Sequence, residues 1–184
     1  NLMLEGMPNY RSGVDGLRVS NSTKGGITFA ASTTQNGIHM ITVVLGVEAV
    51  DGDPYARFVA TSSLMNYVVR TFVSSIVVKE GDPYGKSKAT VMDGKSETVL
   101  AVAKKDFYIV EKQGSQAEPK IQFKSNQESF RAPVKSGTNL GKLHYTDPDK
   151  IGRGYLEDQE PTVDMVAGRT IEKSFFLKVW WNEF

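Results

Sequence analysis

The sequence of 184 residues has no cysteine, only two histidines, and almost no charge imbalance, with 22 Lys+Arg against 21 Asp+Glu. Absence of cysteine excludes a disulfide scaffold, thiolate zinc sites and a thiol nucleophile, and leaves the redox compartment open, because exported proteins also avoid the residue. A formal net charge of +1 with interspersed signs offers no basic face, so nucleic acid is not an expected partner. No apolar run approaches the roughly 18 to 20 residues that cross a bilayer. The opening Asn1-Leu2-Met3-Leu4-Glu5-Gly6 lacks the basic start and apolar core of a signal peptide. The first residue is not Met and the stretch from Phe175 to Phe184 is still strongly apolar, so both ends are expected to be cut from a longer chain.

What is present suits one medium or two small domains: 40% apolar content excludes disorder, and 17 Gly with 7 Pro supply the punctuation of a turn-rich chain. Two β-rich runs, 28–34 and 38–45, flank Gln35-Asn36-Gly37, and Asn-Gly between such runs predicts an antiparallel hairpin. Asp53-Pro54 then predicts an N-cap and first-turn proline. Phe58, Met65, Val69 and Phe72 follow at helical spacing, giving an amphipathic helix over about 53–72 that covers a sheet.

Beyond Phe72 short runs rich in β-branched and aromatic residues recur at 75–78, 98–102, 107–110, 121–123, 140–145, 162–166 and 170–178, which predicts a small β-sandwich. The boundary is expected near 73–75. At the end, Phe175, Phe176, Val179, Trp180 and Phe184 fall broadly on one side of a helix. A buried strand is expected for 170–178, and the start of an interfacial amphipathic helix for 179–184, where tryptophans favour the headgroup level.

Most candidate chemistry reduces to structure. His39 and His144 each sit inside a β-rich run without carboxylates at metal-ligand spacing, so both read as ordinary strand histidines and no metal site is expected. Glu157-Asp158-Gln159-Glu160 lacks the spaced oxygens and glycine of a calcium loop and reads as a solvated turn. Gly137-Thr138-Asn139-Leu140-Gly141-Lys142 lacks Gly-Lys-Ser/Thr at the offset of a phosphate loop and reads as a Gly-bounded hairpin. No cofactor motif occurs.

One constellation stands apart. Gly13-Val14-Asp15-Gly16-Leu17-Arg18-Val19-Ser20-Asn21-Ser22, followed by the hairpin and helix, resembles the region around the Lys-Thr-Gly motif of serine-type D-alanyl-D-alanine carboxypeptidases, the low-molecular-mass penicillin-binding proteins of the Gram-positive kind. The resemblance runs on through the 40–45 strand, Tyr55-Ala56-Arg57-Phe58, the stretch 135–143 and the stretch 175–181, and so covers essentially the whole chain. It implies an α+β fold: the C-terminal part of a penicillin-binding-protein/β-lactamase-like transpeptidase domain in 1–72, antiparallel strands plus a helix, then an all-β sandwich in 73–178 and the start of a membrane anchor in 179–184.

In that family a serine attacks the terminal D-Ala-D-Ala bond of peptidoglycan stem peptides, the lysine of Ser-x-x-Lys acts as base and Ser-x-Asn assists proton transfer. The Lys-Thr-Gly strand holds the substrate carboxylate and the next backbone N–H completes the oxyanion hole. By this resemblance Arg18 stands for the lysine, Val19 for the threonine, Ser20 for the glycine, and Asn21 supplies the oxyanion N–H. Arg18 keeps the charge but changes its shape. Val19 removes a hydroxyl worth about 1.5 to 3 kcal/mol when bonded to a charged group. Ser20 adds a Cβ where the family has none.

Ser-x-x-Lys and Ser-x-Asn do not occur, so no catalytic residue is assigned in this chain, and the chain alone is expected to be inert. Arg57 matches a family arginine near the substrate carboxylate; the other reading is an exposed helix arginine paired with Asp53. Two functions follow. The chain is part of a working carboxypeptidase that binds stem peptide or a β-lactam once an N-terminal segment is supplied, or it is a non-catalytic remnant serving as a wall- or protein-binding module. The resemblance places it at the outer face of the cytoplasmic membrane or in the wall. Its first part, 1–72, is expected to expose an apolar face and strand edge, and so to be paired with a second chain or unusually mobile, while 73–178 folds independently.

Overall fold

In the computed structural model the described residues are 1–22, 26–47, 53, 55–152, 154–155 and 159–175. They form a mostly β protein with one helix, divided into two compact units: Asn1–Ser74 with Val110–Gly114, and Ser75–Ile109 with the chain from Ser115 onward.

The first unit is built on β3 (Gly26–Gln35) and β4 (Ile38–Val47), paired antiparallel from Gln35↔Ile38 to Ile27↔Val47. Asn36 and Gly37 both take positive φ, 51° and 74°, the backbone of a two-residue turn whose twist matches the strands. This is the expected hairpin, each strand longer by two residues at the end away from the turn and β3 by one at the turn. Alternation along both strands sends Phe29, Ala31, Ile38 and Met40 to one face, where they meet Phe58 and Met65 of α1 (Ala56–Thr71). Phe29 and Phe58 meet edge-on at 5.0 Å. The N-terminal segment closes this core with the fully buried Met3, tied down by Arg11 N–H donating to the Met3 carbonyl.

The helix starts three residues later than predicted from Asp53. Tyr55 occupies the cap position without a side-chain cap, and the Asp53 carboxylate instead accepts the Tyr55 N–H at 2.8 Å, holding the turn before the helix. Pro54 lies outside the described residues.

The second unit has a six-stranded sheet in the order β10 (Phe130–Arg131), β6 (Pro83–Met92), β7 (Thr98–Ala103), β12 (Thr162–Ala167), β11 (Asn139–Thr146), β9 (Lys120–Ser125). A two-stranded ribbon pairs β5 (Phe72–Val78) with β8 (Phe107–Lys112), of which Ser75–Val78 and Phe107–Ile109 belong to this unit. Val78, Phe107 and Ile109 of the ribbon share one core with Val99, Leu140, Leu143, Val163 and Met165 of the sheet. The partition is thus a large sheet with a short ribbon rather than two balanced sheets.

Three expectations fail here. The longest strand of this unit, β6, is not predicted, because Tyr84-Gly85-Lys86-Ser87-Lys88 reads as loop; Ser87, Ala89 and Val91 turn inward, Tyr84 packs partly buried against the core, and the exposed side is mostly lysine and threonine. The Gly137–Lys142 stretch is no hairpin. It is a turn running into β11, where the ladder shifts register between Asn139 and Gly141. At Gly141, with φ +157°, an added Cβ would lie 2.1 Å from the Lys124 carbonyl oxygen, so this close approach requires glycine. The run at 170–178 is also not a continuous strand: Ile171 and Lys173 form isolated bridges, and 176–178 lie outside the described residues.

Candidate functional site: the edge of the first sheet

Residues 14–22 form the edge of the first sheet in two pieces on one side of β3, β1 (Val14–Gly16) and β2 (Val19–Ser22). The break lies where Gly16 and Leu17 take φ of 149° and 88°, with a register shift between Val14 and Gly16. Such a bulge re-aims the strand that follows. Among the described residues β2 pairs with β3 alone, so its other edge is open.

The ladder fixes what each position presents. Arg18 and Ala30 exchange both backbone hydrogen bonds, at 3.1 and 2.9 Å. By the two-residue alternation of an antiparallel ladder, Ser20 likewise turns its backbone toward Thr28, while the backbone N–H groups of Val19 and Asn21 point to the open edge. Val19 shares the helix-side face with Phe29 and is partly exposed; Arg18 and Ser20 lie on the opposite face and are exposed. Arg18, Val19 and Ser20 therefore form a solvent-reached edge, and the Val19 and Asn21 N–H groups are donors available for an extended ligand backbone.

Arg57 does not behave as an exposed helix arginine paired with Asp53. It is only 6% exposed, and its Nη1 donates to the carbonyls of Ser20 and Thr28, both at 3.3 Å. Thr28 Oγ1 donates to the same Ser20 carbonyl at 3.2 Å. The guanidinium lies 5.8 Å from the Phe58 ring centroid, its Nε is buried without a partner, and no carboxylate forms a salt bridge with it among the described residues. A helix side chain thus brings a positive charge beneath the edge strand, a feature missed by reading Arg57 on helical spacing alone.

Other candidates fall elsewhere. His39 is an exposed residue of β4 whose Nε2 lies 3.2 Å from Ser32 Oγ. His144 is in β11 of the second unit. A groove of about 420 Å³ beside α1, lined by Asn9, Tyr10, Phe58, Val59 and Ser62, includes none of residues 18–21. Among the described residues no group of three metal-ligating side chains gathers, and no described helix is long and apolar enough to cross a membrane. Glu157, Asp158 and Trp180 lie outside the described residues.

Residues 72–173 match the family described as penicillin-binding protein 5, C-terminal domain. The chain belongs to this family. It is 27% identical over 91% of its length to D-alanyl-D-alanine carboxypeptidase DacA of Haemophilus influenzae, and 24% identical over 90% to DacA of Escherichia coli strain K12. It spans about two-fifths of these relatives, 39% and 38% respectively. Among solved structures it is similar to a peptidoglycan synthesis regulatory factor, PBP3, from Streptococcus pneumoniae, with 46% identity and a TM-score of 0.87, covering 94% of this chain and 47% of that one. Penicillin-binding protein 5 from Haemophilus influenzae, at 22% identity and a TM-score of 0.60 over 88% of this chain and 43% of that one, shares the fold. The expected kinship with D-alanyl-D-alanine carboxypeptidases is thereby shown.

Proposed function

We propose that this chain is the C-terminal portion of a D-alanyl-D-alanine carboxypeptidase-like protein that trims the terminal D-Ala from peptidoglycan stem peptides. Residues 1–72 would complete the penicillin-recognising α+β domain, and 73–178 would form its all-β domain. The observation carrying this reading is the open β2 edge: Arg18, Val19 and Ser20 stand in register on β3, the Val19 and Asn21 N–H groups face outward, and buried Arg57 lies beneath.

In this reading the stem peptide lies along the edge as an added strand. Arg18 attracts its terminal carboxylate, Asn21 contributes an N–H to the oxyanion hole, and Arg57 acts on the carboxylate through field and strand position. Val19 offers no hydroxyl, so the grip on the carboxylate is weaker than a threonine would give. The nucleophile and base belong to the part of the relatives that this chain does not span, and the chain alone releases no D-alanine. The same outside portion covers the exposed Ile41, Val43 and Leu45 on the sheet face opposite α1. The setting is the outer face of the cytoplasmic membrane or the wall; residues 179–184, expected to begin the anchor, lie outside the described residues.

Fluorescent penicillin labelling of the longest natural product tests this: acylation is expected. An unlabelled but folded product favours the second reading, a non-catalytic wall- or protein-binding module, which the substitution of all three motif positions supports. Release of D-alanine from a pentapeptide by the 184-residue chain alone would overturn the assignment of the nucleophile elsewhere.

A further inference from the structure

The wet face of the second unit carries a charge arrangement that the carboxypeptidase reading does not use. On β9 the alternation buries Ile121 and Phe123 partly and leaves Lys120, Gln122 and Lys124 outward. On β11, Leu143 and Tyr145 are buried, and Lys142 and His144 face outward. In register, Lys124 stands directly opposite Lys142, Gln122 opposite His144, and Lys120 opposite Thr146. Like charges directly opposite on one face of a sheet are destabilising.

Lysines on an edge strand guard against edge pairing, which accounts for β9, but Lys142 lies on an interior strand between β9 and β12. Its neighbour on the other side is Asp164, which Lys104 also approaches at 3.8 Å. A depression lined by Lys104, Lys105, Thr162 and Asp164 continues the row. Among the described residues Asp164 and Glu160 stand against Lys104, Lys105, Lys120, Lys124 and Lys142, and Glu160 accepts a hydrogen bond from Thr146 Oγ1 at 2.8 Å.

We propose that this face of β9, β11 and β12 binds a linear anionic polymer of the polyol- or sugar-phosphate type, with Lys124 and Lys142 as the central contact. The cations are lysines, compact point charges that hold phosphate without fork geometry. Lys120 and Lys124 lie four residues apart along one strand, roughly 13 Å, so the cations follow a line rather than a pocket. His144 is the one aromatic ring among Gln122, His144 and Thr162, so the face has no run of platforms for stacking successive nucleobases. Burial and the nearby Lys124 and Lys142 charges lower the His144 pKa, opposed by Glu160.

The test titrates the whole 184-residue chain with polyglycerol phosphate at low salt, beside the Lys124→Gln/Lys142→Gln variant. The wild-type chain is expected to bind, with affinity falling as salt rises. The double variant should bind roughly thirtyfold more weakly, with a log–log salt slope shallower by about two. Absence of binding, or binding indifferent to the two substitutions, overturns the proposal. Equal affinity for oligo(dT) or phosphatidylglycerol vesicles overturns the choice of a base-free polymer. A readout on the unmutated chain is the His144 ring titration, which bound polyanion should move upward; an unmoved titration also overturns the proposal. Penicillin labelling of the longer protein is indifferent to every one of these outcomes.

Discussion

Arg57 Nη1 donates to the Ser20 carbonyl at 3.3 Å, so a buried helix side chain holds the middle of the open edge strand. The same nitrogen reaches the Thr28 carbonyl across the ladder, and the pair of strands is thereby clamped from the helix side. Removing the guanidinium frees both strands at the position where a ligand would be gripped.

Arg57→Met is therefore expected to destabilise the first unit by about 2 to 3 kcal/mol, the range for hydrogen bonds to a charged group. Arg57→Lys, with one compact donor group, should recover only part of this. Amide exchange checks it: protection should fall in β2 and β3 while β11 and β12 are unchanged. Uniform loss across both units would contradict the clamp.

Gly141→Ala meets the Lys124 carbonyl oxygen at 2.1 Å and places a side chain at φ +157°. Backbone cannot yield here as a flexible side chain would, so the expected cost is large, about 3 kcal/mol or more. Urea denaturation followed by far-ultraviolet circular dichroism reads it. Gly114→Ala, which meets nothing within 4 Å but also has positive φ, should cost less.

Asp93 and Arg131 form an asymmetric pair, 3.0 Å apart, with the Asp93 side chain 5% exposed and Arg131 64% exposed. Removal of the exposed partner leaves a buried carboxylate unpaired, whereas neutralising the buried partner leaves the arginine in water. Arg131→Ala should thus destabilise by about 2 kcal/mol or more and Asp93→Asn by less, since Asn tolerates the φ of 60° found there. Thermal unfolding of both variants decides; the reverse order would refute it.

His144 titrates below its ordinary value of 6.5, chiefly because burial disfavours the charged ring, with the Lys124 and Lys142 charges adding to the effect. The unfolded chain therefore takes up the proton more readily than the folded one. Its stabilising contribution is complete above pH 6.5 and is lost as pH falls through the lower folded value. In His144→Gln the pH dependence of stability between about 5 and 7 should flatten. Denaturant midpoints across that range measure it, and an unaltered slope would contradict the assignment.

The hairpin and the helix were legible because each rests on local chemistry. Asn36-Gly37 adopts positive φ with little strain, and the spacing of Phe58 and Met65 matches a helical face wherever that face is buried. The open edge was legible only through resemblance, since Arg18, Val19 and Ser20 carry no periodicity of their own. β6 escaped notice because a strand wet on one side and rich in lysine has the composition of a loop until its partner β7 supplies the ladder.

By itself, then, the order of residues determined where the chain turns, which segments alternate, and which family the chain resembles, because these depend on neighbours a few positions apart. Tertiary structure alone decided that Arg57 lies under Ser20, that Lys124 faces Lys142, and that Gly141 touches the Lys124 carbonyl. Each joins residues well separated in sequence, and strand register, the quantity that brings them together, is set by long-range pairing and core burial rather than by local preference.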